Sequence, residues 1–136
     1  MERITVPAKI ESLGEVNAFV GAQLADRKCT DEETLFQLRL AIEEIFVNIA
    51  SYAYHPRDGV AEVCCEVLED PLRVVIQFLD SGVPFDPLAQ EDADTSEEGL
   101  IERDGGLGIL LVKSMMDEVQ YTYENGKNIL TILKKL

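Results

Sequence analysis

Apolar residues recur at helical spacing in two segments near the start of the chain. The first follows a capping box at 12–15, and its apolar positions are Leu13, Val16, Phe19, Val20 and Leu24. The second follows a similar box at 30–33, and its apolar positions are Leu35, Leu38, Ile42, Ile45 and Ile49. We predict two helices, the second ending near Tyr54 because a His-Pro pair comes next.

Five segments have the alternating or β-branched character of strands: 4–6, 60–68, 72–79, 119–123 and 129–133. A Glu-Asp-Pro turn joins the second and third, and Asn125-Gly126 joins the last two. A third helix is expected over 109–116. Because hairpins replace β-α-β crossovers, we predict an α+β fold, a two-layer sandwich of a mixed, mostly antiparallel sheet with helices on one face.

Residues 80–104 form the longest segment without a predicted element. It has two prolines near its start, and residues 91–104 include seven acidic residues against one basic residue, Arg103. Long loops in compact domains are usually functional lids or disordered segments. No repeat or boundary interrupts the chain, so residues 1–136 are predicted to form a single domain.

The composition excludes several classes of function. The chain has 136 residues, 46% of them hydrophobic, and its 12 basic and 26 acidic residues give a net charge of −14 at pH 7. This charge argues against binding to nucleic acid or anionic membranes, because both need Lys and Arg to neutralise phosphates. No apolar run approaches the roughly 18 residues of a membrane helix. With no signal peptide recognised either, we expect a cytoplasmic protein.

The cysteines and the histidine do not predict a catalytic or metal site. Cys29, Cys64 and Cys65 form no C-x-x-C pair, and we expect reduced core residues, the adjacent two on opposite faces of a strand. The single histidine, His55, rules out a multi-histidine metal site. A Walker A loop is absent. A Rossmann loop follows a strand, whereas the glycine run at 105–108 follows a predicted loop.

Two groups of polar residues could carry chemistry. On the second helix, Glu44 and Asn48 lie four residues apart on one face, where a carboxylate can take a proton and an amide oxygen can bind a hard cation. The alternative is a pair facing water. At a strand end, Asp80 can accept a hydrogen bond from an exocyclic amine, and Gly82 leaves room for a flat ring. The alternative is an ordinary Asp-Ser-Gly turn.

A third group is the glycine run Gly105-Gly106-Leu107-Gly108, which leads into the third predicted helix. Free backbone N–H groups and the positive end of a helix dipole can together hold a phosphate. The alternative is a flexible hinge before a helix. Taken singly, none of the three groups is specific.

In their order along the chain, these groups resemble the N box, G1 box and G2 box of the Bergerat-fold ATPases, whose relatives include histidine kinases and gyrase. The resemblance rests on Glu44-x-x-x-Asn48, Asp80-x-Gly82-x-Pro84-Phe85-Asp86 and Gly105-Gly106-Leu107-Gly108-Ile109. Within that superfamily, the small size, the Ala53-Tyr54 pair and the run at 116–119 resemble the bacterial anti-sigma-factor serine/threonine kinases. The resemblance covers nearly the whole chain.

The resemblance implies ATP and Mg²⁺ as cofactors and a role for each matching residue. Asn48 would ligate the Mg²⁺ that bridges the ATP phosphates, and Glu44 would be the general base. Asp80 would hold the adenine amino group, Gly82 would give the ring room, and Thr131 would support adenine through water. Backbone amides of the glycine run, Gly105, Gly106, Leu107 and Gly108, would meet the phosphates, and residues 87–104 correspond to the ATP lid.

The chain departs from the family pattern at two positions. Tyr52 stands where many members carry histidine, and Gly105 stands where some carry arginine beside the phosphates. Arg103 or Lys113 could compensate for the arginine, although a solvated helix face is the simpler interpretation of Lys113. The acidic lid would oppose ATP, which puts the rate of transfer in question more than nucleotide binding.

The resemblance implies an ATP-dependent serine/threonine protein kinase of the anti-sigma type. Its substrate would be a STAS-domain anti-anti-sigma protein, its regulatory target a sigma factor in transcription, and it could form a homodimer as relatives often do. The departures leave a second hypothesis, an ATP-binding switch module that sequesters its partner without transfer. A third, an acidic scaffold domain without nucleotide, is the least favoured.

Overall fold

The structure, a computed structural model, describes residues 1–25, 31–54, 57–89 and 106–136. Its strands are β1 (Glu2–Pro7), β2 (Val60–Leu68), β3 (Arg73–Asp80), β4 (Glu118–Glu124) and β5 (Lys127–Lys135). The helices of these ranges are α1 (Leu13–Ala25), α2 (Glu32–Asn48) and α3 (Gly106–Met115). A π-helical turn, Ile49–Ala53, continues α2, and 3-10 turns lie at Ile10–Ser12 and Pro87–Ala89.

The five strands form one sheet in the order β1-β2-β3-β5-β4, and every neighbouring pair is antiparallel. The predicted α+β fold is confirmed, with a sheet that is antiparallel throughout rather than mixed. The β4-β5 hairpin turns at Asn125 and Gly126, whose φ angles of 54° and 77° match the positive values of a two-residue hairpin turn.

Alternate strand residues point towards the helices and form the core. On β3, Val74, Ile76 and Phe78 are at most 1% exposed, whereas the residues between them are half-buried on the other face. The helices contribute Val16, Val20, Leu38, Ile45, Phe46 and Val112 to the same core. By this alternation, Asp80 at the end of β3 also lies on the helix-facing side.

The adjacent cysteines of β2 lie on opposite faces of the strand, as predicted. Both are buried free thiols, and Cys65 belongs to the core between sheet and helices. Burial raises the pKa of the Cys65 thiol to about 12. Cys29 lies outside the described residues.

Both ends of the helical region differ in detail from the sequence prediction. Lys9 takes the extended N-cap conformation, with φ −133° and ψ 150°, so helical backbone begins at Ile10 and Ser12 lies inside it rather than at the cap. The second helix reaches Tyr54 as predicted, but its last turn is the wider π turn. Within the described ranges, no helix is both long and apolar enough to span a bilayer.

Candidate functional site

A cavity of about 490 Å³ opens between the π turn, the end of β3 and the β4-β5 hairpin. Most of its walls are apolar, formed by Ile45, Ile49, Ala53, Phe78, Val83, Pro84, Phe85, Pro87, Ile109 and Leu130. Its other lining residues are Asn48, Tyr52, Asp80, Tyr121 and Asn128. A concave apolar site with a few polar groups is the usual form of a small-molecule site.

Asp80 lies in the wall of this cavity, and the residue is 8% exposed. Its Oδ1 accepts hydrogen bonds from the Gly82 backbone N–H and from Asn128 Nδ2, both at 2.9 Å. Both hydrogen bonds that the described residues give this carboxylate go to the same oxygen. Oδ2 is therefore the oxygen that can accept a hydrogen bond from a ligand in the cavity.

Asn128 is a site residue that the sequence analysis missed. It is 7% exposed, it pairs with Asp80 across β3 and β5, and its Oδ1 accepts hydrogen bonds from the Phe85 N–H and the Tyr121 hydroxyl. Burial raises the pKa of Tyr121, so the phenol keeps its proton. The signal in the sequence was the alternation of β5, because Asn128 shares a face with the buried Leu130 and Ile132.

Glu44 and Asn48 are placed one helical turn apart on α2, and both are half-buried. Asn48 lines the cavity. Glu44 lies against the first turn of α3, where a side-chain carbon added to Gly108 would come within 2.3 Å of Glu44 Oε2. The face of α2 that carries Glu44 and Asn48 thus meets the glycine run beside the cavity, near the positive end of the α3 dipole.

The glycine run lies only partly within the described residues. Gly106, Leu107 and Gly108 form the first turn of α3, where backbone N–H groups have no helical partner and can bind an anion. Gly105 lies outside the described residues, as do Arg103 and most of the predicted lid. Lys113 lies in the last turn of α3.

The missing side chain of Gly82 also allows a close contact within the fold. A carbon added there would lie 2.2 Å from the carbonyl oxygen of Ala53 and 2.7 Å from its carbonyl carbon. Gly82 thus allows the loop after β3 to approach the π turn, rather than only making room for a ring. Tyr54 secures the same junction, since its hydroxyl donates to Val60 O and accepts from Ser81 N–H, both at 2.7 Å.

Thr131 lies away from this cavity. It pairs with Gln77 across β3 and β5, and the two side chains are hydrogen-bonded at 3.4 Å. Gln77 is three residues from Asp80, so alternation puts the Thr131 side chain on the opposite face of the sheet. Asn128, rather than Thr131, is the β5 residue that lies beside Asp80.

Tyr52 lies on the π turn at the rim of the cavity and is 58% exposed. The part of the chain that the structure describes contains no cluster of His, Cys, Asp and Glu side chains that could hold a metal ion unaided. A cation in this site would need oxygen ligands from a bound anion in addition to the Asn48 amide oxygen. The site therefore combines apolar walls, one available carboxylate oxygen and a helix N-terminus. These features suit an anionic ligand with a flat, amine-bearing ring.

Comparison with known proteins agrees with this description. The profile of the histidine kinase-like ATPase domain matches residues 6–134. The serine-protein kinase RsbW of Staphylococcus aureus is 29% identical over 132 residues, covering 91% of this chain and 80% of that protein. The protein of the same name from Listeria monocytogenes is 29% identical over 133 residues, covering 93% of this chain and 82% of its own length.

Two solved structures share the fold. The RsbU and RsbW domains of a Mycobacterium tuberculosis protein superpose with a TM-score of 0.65 at 17% identity, and the match covers 100% of this chain and 33% of that one. The chain thus spans about a third of the length of that structure. A histidine kinase domain from Erythrobacter litoralis superposes with a TM-score of 0.57 at 19% identity over 96% of this chain and 62% of its own.

Proposed function

The chain belongs to the histidine kinase-like ATPase domain family, and we propose that it is an ATP-dependent serine/threonine protein kinase of the anti-sigma-factor type. Its substrate in this proposal is a serine or threonine of a STAS-domain anti-anti-sigma protein, and through that partner it regulates a sigma factor. The observation that carries the proposal is one continuous site, in which Asp80 closes an apolar cavity and Glu44 meets the α3 N-terminus beside it.

The cavity suits adenine. Its apolar walls exclude water from a planar ring, and Asp80 Oδ2 can accept a hydrogen bond from the exocyclic amine. The phosphates then extend towards the first turn of α3, where backbone N–H groups and the helix dipole stabilise negative charge. Asn48 supplies an amide oxygen for Mg²⁺, which when bound neutralises phosphate charge and orients the phosphates.

In this proposal Glu44 is the general base. It accepts the proton of the acceptor hydroxyl as that oxygen forms a bond to the γ-phosphorus of ATP and the bond to the ADP oxygen breaks. The electron pair of the broken bond stays on ADP, and the proton remains on the Glu44 carboxylate until it passes to solvent. No covalent enzyme intermediate is needed, because positioning and charge neutralisation carry most of such a transfer.

The test is phosphotransfer to a purified STAS-domain protein by Glu44→Gln, with Glu43→Gln as the matched control. Glu43 is the exposed neighbour on the same helix. We expect Glu44→Gln to bind ATP as the wild type does and to lose transfer by about 10²-fold or more, while Glu43→Gln stays active. Full transfer by Glu44→Gln would overturn the base assignment. ATP-dependent capture of the partner by the wild type without phosphoserine would favour the sequestering module instead.

A further inference from the structure

The side-chain amide of Asn128 is held in one orientation by its surroundings. Its Nδ2 faces three acceptors, donating to Asp80 Oδ1 at 2.9 Å and to Val83 O at 3.0 Å, with Gly82 O at 3.5 Å. Its Oδ1 faces two donors, the Phe85 N–H and the Tyr121 hydroxyl. A flipped amide would bring oxygen against oxygen on one side and N–H against donors on the other.

This fixed amide determines which carboxylate oxygen of Asp80 is available. Because Asn128 and the Gly82 N–H both donate to Oδ1, Oδ2 of this cavity-lining carboxylate is left to accept a hydrogen bond from a ligand. The same amide also holds the loop 81–86, because it donates a hydrogen bond to the Val83 carbonyl oxygen and accepts one from the Phe85 N–H. The Asn128 side chain therefore helps to position both Asp80 and the loop that borders the cavity.

From this network we propose that Asn128 is the positioning residue for selection of the base, with Tyr121 holding Asn128 in turn. The inference rests on the proposed ATP site and deepens it. The ligand selected is a purine nucleotide with an exocyclic amine at the ring position that meets Asp80 Oδ2. A ring with an oxo group there is rejected, because acceptor would face acceptor, and a ring with hydrogen there loses one charge-assisted hydrogen bond.

The experiment compares binding of ATP with binding of purine riboside triphosphate, which lacks only the amine, by calorimetry in Mg²⁺ buffer. We expect the wild type to prefer ATP by about 10- to 100-fold, the value of one hydrogen bond to a charged group. Asn128→Ala should bring this preference within about threefold, because among the described residues the Gly82 N–H is then the one donor left to orient Asp80. Both nucleotides carry the same ribose and triphosphate, so a general structural defect weakens both alike and leaves their ratio unchanged.

A milder pair of variants tests the same point if Asn128→Ala does not fold. Tyr121→Phe removes only the hydroxyl that holds Asn128 Oδ1, and we expect it to reduce the ATP preference by about threefold or more. Tyr123→Phe is its control, because Tyr123 lies on the same strand and is 45% exposed, and it should keep the wild-type preference.

The possible failures can be told apart. A wild type that binds neither nucleotide overturns the proposed function and this inference with it. A wild type that binds both equally overturns the role of Asp80 in base recognition. If the wild type prefers ATP and the Asn128 and Tyr121 variants keep that preference in full, the positioning role alone is overturned and the kinase proposal stands.

Discussion

Gly108 and Glu44 are so close that a methyl group at position 108 would come within 2.3 Å of Glu44 Oε2. The contact joins α2, which carries Asn48, to the first turn of α3. The obstructed atom is the end of a flexible side chain, which can move aside with little cost to the fold. What this glycine preserves is therefore the position of the carboxylate.

We expect Gly108→Ala to change the free energy of unfolding by less than about 1 kcal/mol, since alanine also favours the helix. Transfer to the protein substrate should fall by about tenfold or more, because the carboxylate is displaced from the acceptor hydroxyl. Urea unfolding and a phosphotransfer assay measure the two effects. Gly21→Ala, with open space around the added carbon, is the control. Unchanged transfer in Gly108→Ala would contradict the role given to this contact.

Gly82→Ala, unlike Gly108→Ala, should clearly lower the stability of the fold. The added carbon meets the backbone of Ala53, which has no rotamer to relieve the overlap. We expect a loss of about 1–3 kcal/mol in the free energy of unfolding, measured by urea titration. Gly14→Ala has open space in α1 and should be neutral or slightly stabilising. Wild-type stability in Gly82→Ala would show that the loop after β3 does not need to approach the π turn this closely.

An ion pair on the outer face of the sheet gives a pH-dependent prediction. Lys127 Nζ lies 2.7 Å from Glu62 Oε1, and Arg3 Nη1 lies 3.5 Å from Glu62 Oε2. The hydrogen bond from Lys127, with the charges of Lys127 and Arg3, lowers the pKa of Glu62 below its ordinary value of 4.5, against a smaller opposing effect of burial. A carboxyl with a lowered folded-state pKa adds stability above its unfolded value and loses it as the pH falls through the folded value.

Glu62→Gln should therefore lower the free energy of unfolding by up to about 1 kcal/mol at pH 7, the range of exposed pairs. This difference from the wild type should shrink as the pH falls below the ordinary value of 4.5. Denaturant titrations at several pH values measure it, with the exposed Glu124→Gln as control. A difference that stays constant across that acidic range would mean that Glu62 has no lowered pKa.

The buried thiol of Cys65 should resist alkylation in the folded protein. Its pKa is raised to about 12, mainly by burial, so almost no thiolate forms at pH 8. We expect iodoacetamide to leave Cys65 unmodified in buffer and to modify it in urea, with peptide mass spectrometry identifying the site. Equal labelling in both conditions would contradict the burial. The raised pKa of Cys65 also affects stability. As the pH rises above 9, the ordinary pKa of the thiol, its contribution should lower the free energy of unfolding.

Local patterns predicted the elements well because they report local physics. β-Branched residues place β2 at Val60–Leu68, as expected, and Asn-Gly makes the turn between β4 and β5. Helical spacing put Glu44 and Asn48 on one face of α2. These features depend on neighbours a few residues apart.

The partners of Asp80 depend instead on which strands pair and in which register. Asn128 is 48 residues from Asp80 and meets it only because β5 lies beside β3 in one register. A residue three positions along, such as Thr131, falls on the other face. Likewise, the need for glycine at position 82 comes from its tertiary contact with Ala53. Neither the π turn nor the close approach of the loop after β3 to that turn can be predicted from neighbouring residues in the sequence.

The most direct test of the account is calorimetric titration of ATP, with and without Mg²⁺, into the wild type and Asp80→Asn. We expect Mg²⁺-dependent binding to the wild type. We also expect at least tenfold weaker binding to Asp80→Asn, because an amide replaces the charged acceptor of the exocyclic amine. Equal binding by both proteins, or no binding by the wild type, would contradict the site described here.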